Sequence, residues 1–429
     1  MRKLLFLIVA VILLPALYLL FWPTGMQPVA WKAPAAPALE GRFASNKRLA
    51  EVEWLARGAG IGPEDVAIDN QGRIYAGYHD GRILRFSATG EEQELFANTK
   101  GRPLGLEFAP DGTLVVADAK EGLLAVRSDG SIRVLATEAR GLRFAFTDDL
   151  DIAADGTIYF SDASSKWGYG QHMQDILEHG GFGRLIRYHP IAGTAEVLLE
   201  GLQFANGVAL AKDESYVLVN ETGSYRVMRY WLKGDKAGTA EVFIDNLPGL
   251  PDGISTGDHC HWLALYSPRS EDLDRMAGKP FLRQLAARLP SSLQPKPKRH
   301  AMVLGLDSNG EVIHNLQDPS EHAYAPITSV EEHEGQLYLG SLLREAIGRI
   351  DAPVMPAYME PDDPVLPEEM PPQPTETTSG ENLEVIEEDG GDDVPDYDDE
   401  ESDALADPDA GPESEPESGL EDDPEEHSL

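Results

Sequence analysis

Four short stretches of the 429-residue chain carry oxygen donors in similar settings. They are Gly62-Pro63-Glu64-Asp65, Phe146-Thr147-Asp148-Asp149, Phe204-Ala205-Asn206-Gly207 and Leu250-Pro251-Asp252-Gly253. Brought together, three carboxylates and one amide carbonyl form an oxygen cage. That is the donor set calcium takes, with ~6–8 oxygens at about 2.3–2.6 Å. No His stands at these places, which disfavours zinc. Each residue alone is explained equally by turn chemistry, because Asp and Asn open turns by bonding their own backbone. Recurrence at equivalent places in four repeats favours the cage. The neighbouring Asp65 and Asp149 are candidates for a second, structural ion, or for plain salt bridging.

Such a cage needs elements that converge on one point. From about Glu40 to Ile350 the chain repeats one pattern: a short alternating strand, a turn, and two further strands. Leu104–Phe108, then Pro110-Asp111-Gly112, Leu114–Ala117 and Leu123–Val126 make one unit, and six such units can be traced. Asp-Gly steps supply the positive φ of hairpin turns, and period-2 hydrophobicity marks the strands. Units of about 40 residues with several strands each predict an all-β, six-bladed β-propeller. A propeller must close or leave bare sheet edges, so a strand within Arg48–Trp54 is expected to complete the last blade. The first strand of each blade lines the central channel, which places the four donor stretches at one mouth.

Units three and five carry insertions, Ser164–Gly183 and Pro268–His300, the first amphipathic near His172–His179 and the second helical in character. Long insertions in compact domains are usually functional loops, and both are expected to cover that mouth. His172, His179 and Trp167 are therefore candidates for a substrate pocket, against a solvated-loop role for the His pair and an anchoring role for Trp167. The single cysteine, Cys260, excludes an internal disulfide framework and reads as a small core residue beside Trp262. Asn220-Glu221-Thr222 is a glycosylation sequon, meaningful only in a host that glycosylates secretory proteins.

The ends differ from the middle. Arg2 and Lys3 precede the uncharged stretch Leu4–Trp22, about long enough to span a bilayer. A cleaved signal peptide is the competing reading, but its apolar part is shorter and ends at small residues. An uncleaved anchor over 1–22 puts the N-terminus in the cytoplasm and the propeller outside it. Residues 23–39, rich in Pro and Ala, then read as a linker lifting the 40–350 domain off the membrane. Of the 74 acidic residues, 30 fall in 351–429, which holds no Lys or Arg. That tail cannot bury enough apolar surface to order itself and is expected to be disordered, either merely solvating or a docking segment for a basic partner. The remaining 44 acidic residues face 35 basic ones, so no part offers the basic patch of a nucleic-acid binder.

The stretches Gly62-Pro63-Glu64-Asp65, Gly101-Arg102-Pro103-Leu104-Gly105, Tyr159-Phe160-Ser161-Asp162, Phe204-Ala205-Asn206-Gly207 and Glu332-His333-Glu334-Gly335 resemble those of the strictosidine synthase-like proteins, especially the adipocyte plasma membrane-associated group. That family is grouped with gluconolactonases and paraoxonases among calcium-dependent six-bladed propellers. The resemblance covers about residues 45–350 and leaves the acidic tail outside. It implies that Glu64, Asp148, Asn206 and Asp252 hold an active-site calcium. Asp148 stands where the family usually has Asn, and Gly253 where an Asn often follows the Asp; the missing amide is expected to open a position for water or substrate. The catalytic Glu of true strictosidine synthase falls at Thr328, and the paraoxonase His pair near Leu104 and Asp118, so neither Pictet–Spengler condensation nor His-dyad hydrolysis is supported.

Two functions fit these residues. One is a membrane-anchored, calcium-dependent hydrolase of a small-molecule ester or lactone, arylesterase- or gluconolactonase-like, with Asp252 as the base and Asp148 as second candidate. The other is a non-catalytic, calcium-stabilised propeller serving as a binding platform at the membrane.

Overall fold

The alternating runs pair into hairpins and the hairpins into blades, as a computed structural model of residues 2–3, 13–14, 17–290 and 297–354 describes. Six four-stranded antiparallel sheets form the ring. Their innermost strands are Val66–Ile68, Pro103–Phe108, Thr147–Ile152, Ala205–Leu210, Gly249–Thr256 and Val330–His333. Closure is made across the chain's length: Glu53–Leu55 supplies the outer strand of the sixth blade, with Glu53, Trp54 and Leu55 opposite Arg349, Gly348 and Ile347. The closing strand therefore begins later than Arg48, but in the expected place.

Blades adhere through the apolar faces of their strands. Between the second and third, Val115, Ala117 and Leu123 pack against Leu150, Phe160 and Ile186, all buried. Cys260 and Trp262 share a core cluster with Leu316 and Tyr324, and burial pushes the Cys260 thiol up to about 12. The outer strands are different. Ile132–Ala136 is largely exposed, as is Glu94–Asn98, so no clean alternation announces them.

One feature of the inner strands recurs. In four blades three residues of the innermost strand span two of its neighbour, between Pro103 and Leu106, Thr147 and Leu150, Ala205 and Val208, and Pro251 and Ile254. Such bulges add twist and re-aim side chains. They contain Asp148-Asp149, Asn206-Gly207 and Asp252-Gly253. The bulges also pack on one another. A Cβ on Gly207 would lie 2.5 Å from Asp252 O and Ile254 N, and one on Gly253 2.5 Å from Thr328 O. Glycine at 253 thus lets the sixth blade's backbone close in. It also lines the lower channel beside Asp252.

Both insertions are helical: α1 is His172–Glu178, α2 is Glu271–Met276 and α3 is Pro280–Ala287. Among the described residues no helix is long and apolar enough to cross a membrane. The stretch 4–22 is described only in part, with 17–21 helical, and the expected disordered tail from 355 onward lies outside the described residues. Residues 23–39 do not hang free as a spacer. Their backbone is held by Glu178, Asn246, Arg269, Arg283 and Gln284.

Candidate functional site

The bulges carry Asp148, Asn206 and Asp252 to the channel axis, and Glu64 arrives from the turn before Val66–Ile68. These four line both a lower channel of about 280 Å³ and an upper cavity of about 730 Å³, so they form the partition between the two. Asp148, Asn206 and Asp252 are each buried.

Their charges crowd. Burial, then the Glu64 and Asp252 charges, hold Asp148 well above the usual carboxylate range. Burial, then Glu64, does the same to Asp252, against a hydrogen bond from the Asn206 side chain. Glu64 is pushed up to about 6 by burial, against the pull of Arg102. Arg102 is fully buried. Its Nη2 donates to Glu64 Oε2 at 3.0 Å and its Nη1 to the carbonyls of Gly62 (3.0 Å) and Gly77 (3.4 Å). One guanidinium thus offsets one of three facing carboxylates. The sequence singled out Gly101-Arg102-Pro103 without giving Arg102 a role; an Arg between Gly and Pro at a blade head was the available signal.

Below the partition lies a second acidic layer that the sequence reading found only in part. Asp65 Oδ2 accepts from the backbone N–H of Leu106 (2.8 Å), and Asp149 Oδ2 from that of Val208 (2.8 Å). Each staples its blade to the next. Asp151 Oδ2 repeats the device with Leu210 N (2.6 Å). Glu107 and Glu331 face the same channel, and burial, then Asp151, pushes Glu107 up to about 8.

The upper cavity has apolar walls, among them Leu104, Phe146, Ile176, Phe204 and Met276, under a roof of α1, α2 and Ala286 of α3. His172 lines it, and burial lowers its pKa. His179 and Trp167 do not line it. His179 stacks on Trp31 with centroids 4.2 Å apart and planes at 7°, and is pushed down to about 3 by burial and Arg283. Trp167 Nε1 donates to Glu178 Oε2 at 2.8 Å and packs on Met26 and Leu177. Both hold the roof in place. Tyr169, Tyr266 and His79 line the cavity without having been anticipated. Burial, then Asp252, pushes Tyr266 up to about 12, and His79 Nε2 is buried without a partner.

Other positions fall where they do no cavity chemistry. Thr328 donates its hydroxyl to Glu64 O at 2.7 Å. Asp118 is buried and Oδ1 caps the backbone N–H groups of Arg102, Lys120 and Glu121. Asn220 of the sequon is fully buried, its amide bonded to Asp252 O, so it is closed to glycosylation in the folded chain.

The donor chemistry fits a hard divalent cation. Three carboxylates and an amide oxygen face one another, with a single positive charge beside one of them, and no soft ligand is present. Among the described residues no three of His, Cys, Asp and Glu are grouped so as to hold a metal ion; Glu64, Asp148 and Asp252 line one partition without closing into such a group.

Fold and site together define a lidded six-bladed propeller with a carboxylate-rich partition at its axis. Two family profiles match, strictosidine synthase over residues 148–235 and the strictosidine synthase-like N-terminal region over 41–86. An adipocyte plasma membrane-associated protein from Rattus norvegicus is 34% identical over 368 residues, covering 80% of this chain and 96% of its own. Strictosidine synthase-like protein 10 of Arabidopsis thaliana is 38% identical over 321 residues, covering 68% and 85%. The chain belongs to the strictosidine synthase-like family. Among solved structures, a gluconolactonase from Xanthomonas campestris superposes with a TM-score of 0.52 at 16% identity, covering 76% of this chain and 97% of that one. Regucalcin from Agrobacterium tumefaciens, a calcium-binding protein, gives 0.50 at 14%, covering 71% and 96%. These two likenesses concern the fold.

Proposed function

We propose that this chain is a membrane-associated, calcium-dependent hydrolase of esters or lactones, with its propeller on the extracytoplasmic side. The observation that carries the reading is the partition itself: three mutually repelling carboxylates and an amide at the floor of a closed-over apolar cavity. Glu64, Asp148, Asn206 and Asp252 would hold the ion. Calcium bound there supplies a Lewis acid for a substrate carbonyl. Asp252 takes a proton from the attacking water, oriented by the hydrogen bond from Asn206. The water oxygen bonds to the acyl carbon, the acyl C–O bond breaks, and the proton passes from Asp252 to the leaving alkoxide. Asp148 is the second candidate for that proton. The apolar walls exclude bulk water. Arg2, Lys3 and the apolar stretch after them support the membrane side of the reading, as does the name of the rat relative.

The test uses the full chain in detergent, since residues 22–39 pack on the lid. Aryl-ester and lactone hydrolysis is measured with calcium, then with EDTA, in wild type and Asn206→Ala. Turnover that needs calcium and disappears in the variant is the expected result. Calcium binding without turnover on a broad panel would overturn the hydrolase and leave a binding platform.

A further inference from the structure

The apolar stretch ends on the roof of the cavity. Arg288, just past α3, donates to the carbonyls of Leu19 (3.1 Å) and Trp22 (2.6 Å). Gln284 of α3 donates to Met26 O (3.2 Å), and Val29 N donates to the α1 carbonyl of Glu178 (2.8 Å). Arg283 ties the two together, bonding Val29 O and, at 2.9 Å, Leu177 O. Met26 is buried against Trp167 and Leu177. Leu19 and Trp22, in the described end of the apolar stretch, therefore lie against the end of α3, and the chain that follows them runs on to α1. Those helices roof the cavity through Ile176, Leu177 and Ala286.

The roof is dressed for that surface. On α3, Phe281 is 57% and Leu282 36% exposed, and Phe21 and Trp22 at the end of the stretch are 72% and 59% exposed. Phe281 lies seven residues before Arg288, on the helix face that grips Leu19 and Trp22. An exposed apolar edge of this kind, continuous with the end of an apolar stretch, fits the interfacial layer of a bilayer. Inside, Leu104, Phe146, Ile176, Phe204 and Met276 give the mid-walls a hydrocarbon and aromatic surface, while Glu64, Asp148 and Asp252 stand at the floor and Glu271, Asp272 and Arg275 of α2 line the roof. The apolar mid-walls match an alkyl chain.

The geometry points to a substrate class: membrane-resident amphiphiles, esters or lactones bearing an alkyl chain, which enter from the bilayer on which the lid rests, with the chain under α1 and α2 and the carbonyl at the partition. This rests on the hydrolase reading above, deepening it. Hydrolysis of the acyl C–O bond by water gives an acid and an alcohol, and no other co-reactant is needed.

The test uses full-length protein in phosphatidylcholine vesicles with calcium. Hydrolysis of 4-nitrophenyl laurate carried in the vesicles is compared with that of soluble 4-nitrophenyl acetate. A diazirine-bearing tridecanone, which cannot be hydrolysed, is cross-linked and mapped by peptide. Cross-links within 172–177 and 271–276 are expected, with kcat/KM for laurate above acetate by about tenfold or more, as even one methylene in an apolar pocket can contribute. Phe281→Asp with Leu282→Asp is expected to lower laurate turnover by about fivefold, through lost interfacial contact, and to leave acetate turnover unchanged. Acetate hydrolysed as well as laurate, with no cross-link at the roof, overturns the substrate class and leaves the hydrolase standing. Cross-linking without hydrolysis of either ester overturns the hydrolase and leaves the amphiphile site. Unchanged laurate turnover in the double variant overturns delivery from the bilayer.

Discussion

Replacing Arg102 by Met separates the protein's own cation from the one the partition is built to hold. The change leaves Glu64 buried beside Asp148 without its 3.0 Å partner, and takes a donor from the carbonyls of Gly62 and Gly77. Removing one side of a buried ion pair costs about 3–5 kcal/mol. At about 2–4 °C of Tm per kcal/mol for large domains, the metal-free variant should melt roughly 10 °C lower. Calcium should have the opposite bias. In wild type at a hundredfold excess over Kd it stabilises by about 2.7 kcal/mol. In the variant Glu64 no longer shares its charge with a guanidinium that repels the ion, so calcium should bind at least about tenfold tighter, a further ~1.4 kcal/mol. Calcium should therefore raise the variant's Tm by about 3 °C more than it raises that of wild type. The assay is thermal unfolding of the full chain in EDTA and in excess calcium, with Arg102→Lys as the charge-retaining control expected to behave like wild type in the calcium increment. An equal or smaller increment in Arg102→Met would refute the coupling of Arg102 to the cage.

Three further outcomes are expected. Gly253→Asn, which restores the residue common in the family, should not add a ligand; with its Cβ direction 2.5 Å from Thr328 O, it should cost about 3 kcal/mol or prevent folding, read by urea unfolding and calcium titration. Asp175 in α1 is buried and pushed up to about 7, chiefly by burial. Its folded pKa lies above the unfolded one, so its contribution is complete below about pH 4 and is lost as pH rises through 7; Asp175→Asn should stabilise the chain by about 2 kcal/mol more at pH 8 than at pH 5, checked by melts at both. Expression in a glycosylating host should yield no mass change on glycosidase treatment, since Asn220 is fully buried; a shift that Asn220→Gln abolishes would contradict this placement.

The inner strands were legible because their apolar residues are largely buried and each leads into a turn, which leaves short apolar runs and Asp-Gly signals in the sequence. The outer strands were not, because Ile132–Ala136 and Glu94–Asn98 face water and owe their pairing to a neighbour's backbone rather than to their own side chains. The cage residues were readable as residue types at repeated places. What brings Asp148, Asn206 and Asp252 to the axis is a one-residue bulge, and a bulge is a property of the pairing between strands rather than of either sequence. Arg102 was hidden for a related reason: its value comes from Glu64, 38 residues earlier.

Residues 23–39 were the largest misreading, and its cause bears on function. A stretch rich in Pro and Ala has no periodicity, and by composition it is a spacer. Its order comes from partners far along the chain: Arg269, Arg283 and Gln284 in the second insertion, which take its carbonyls. Proline-rich segments leave carbonyls unpaired along their length, since Pro supplies no N–H for a local ladder, and arginines with fixed forks are suited to collect them. The insertion that looked only basic and helical thus has two faces, one roofing the cavity and one binding the chain that leads from the apolar stretch. A spacer would have let the propeller tumble above the bilayer with its mouth in any direction. A strap fixed to α1 and α3 would, on the proposed membrane reading, give the mouth one orientation, and any motion of the roof must strain or release the strap. On the function proposed above, access to the partition and attachment to the membrane would be coupled through Arg283 and Arg288, which hold the strap and the end of the apolar stretch.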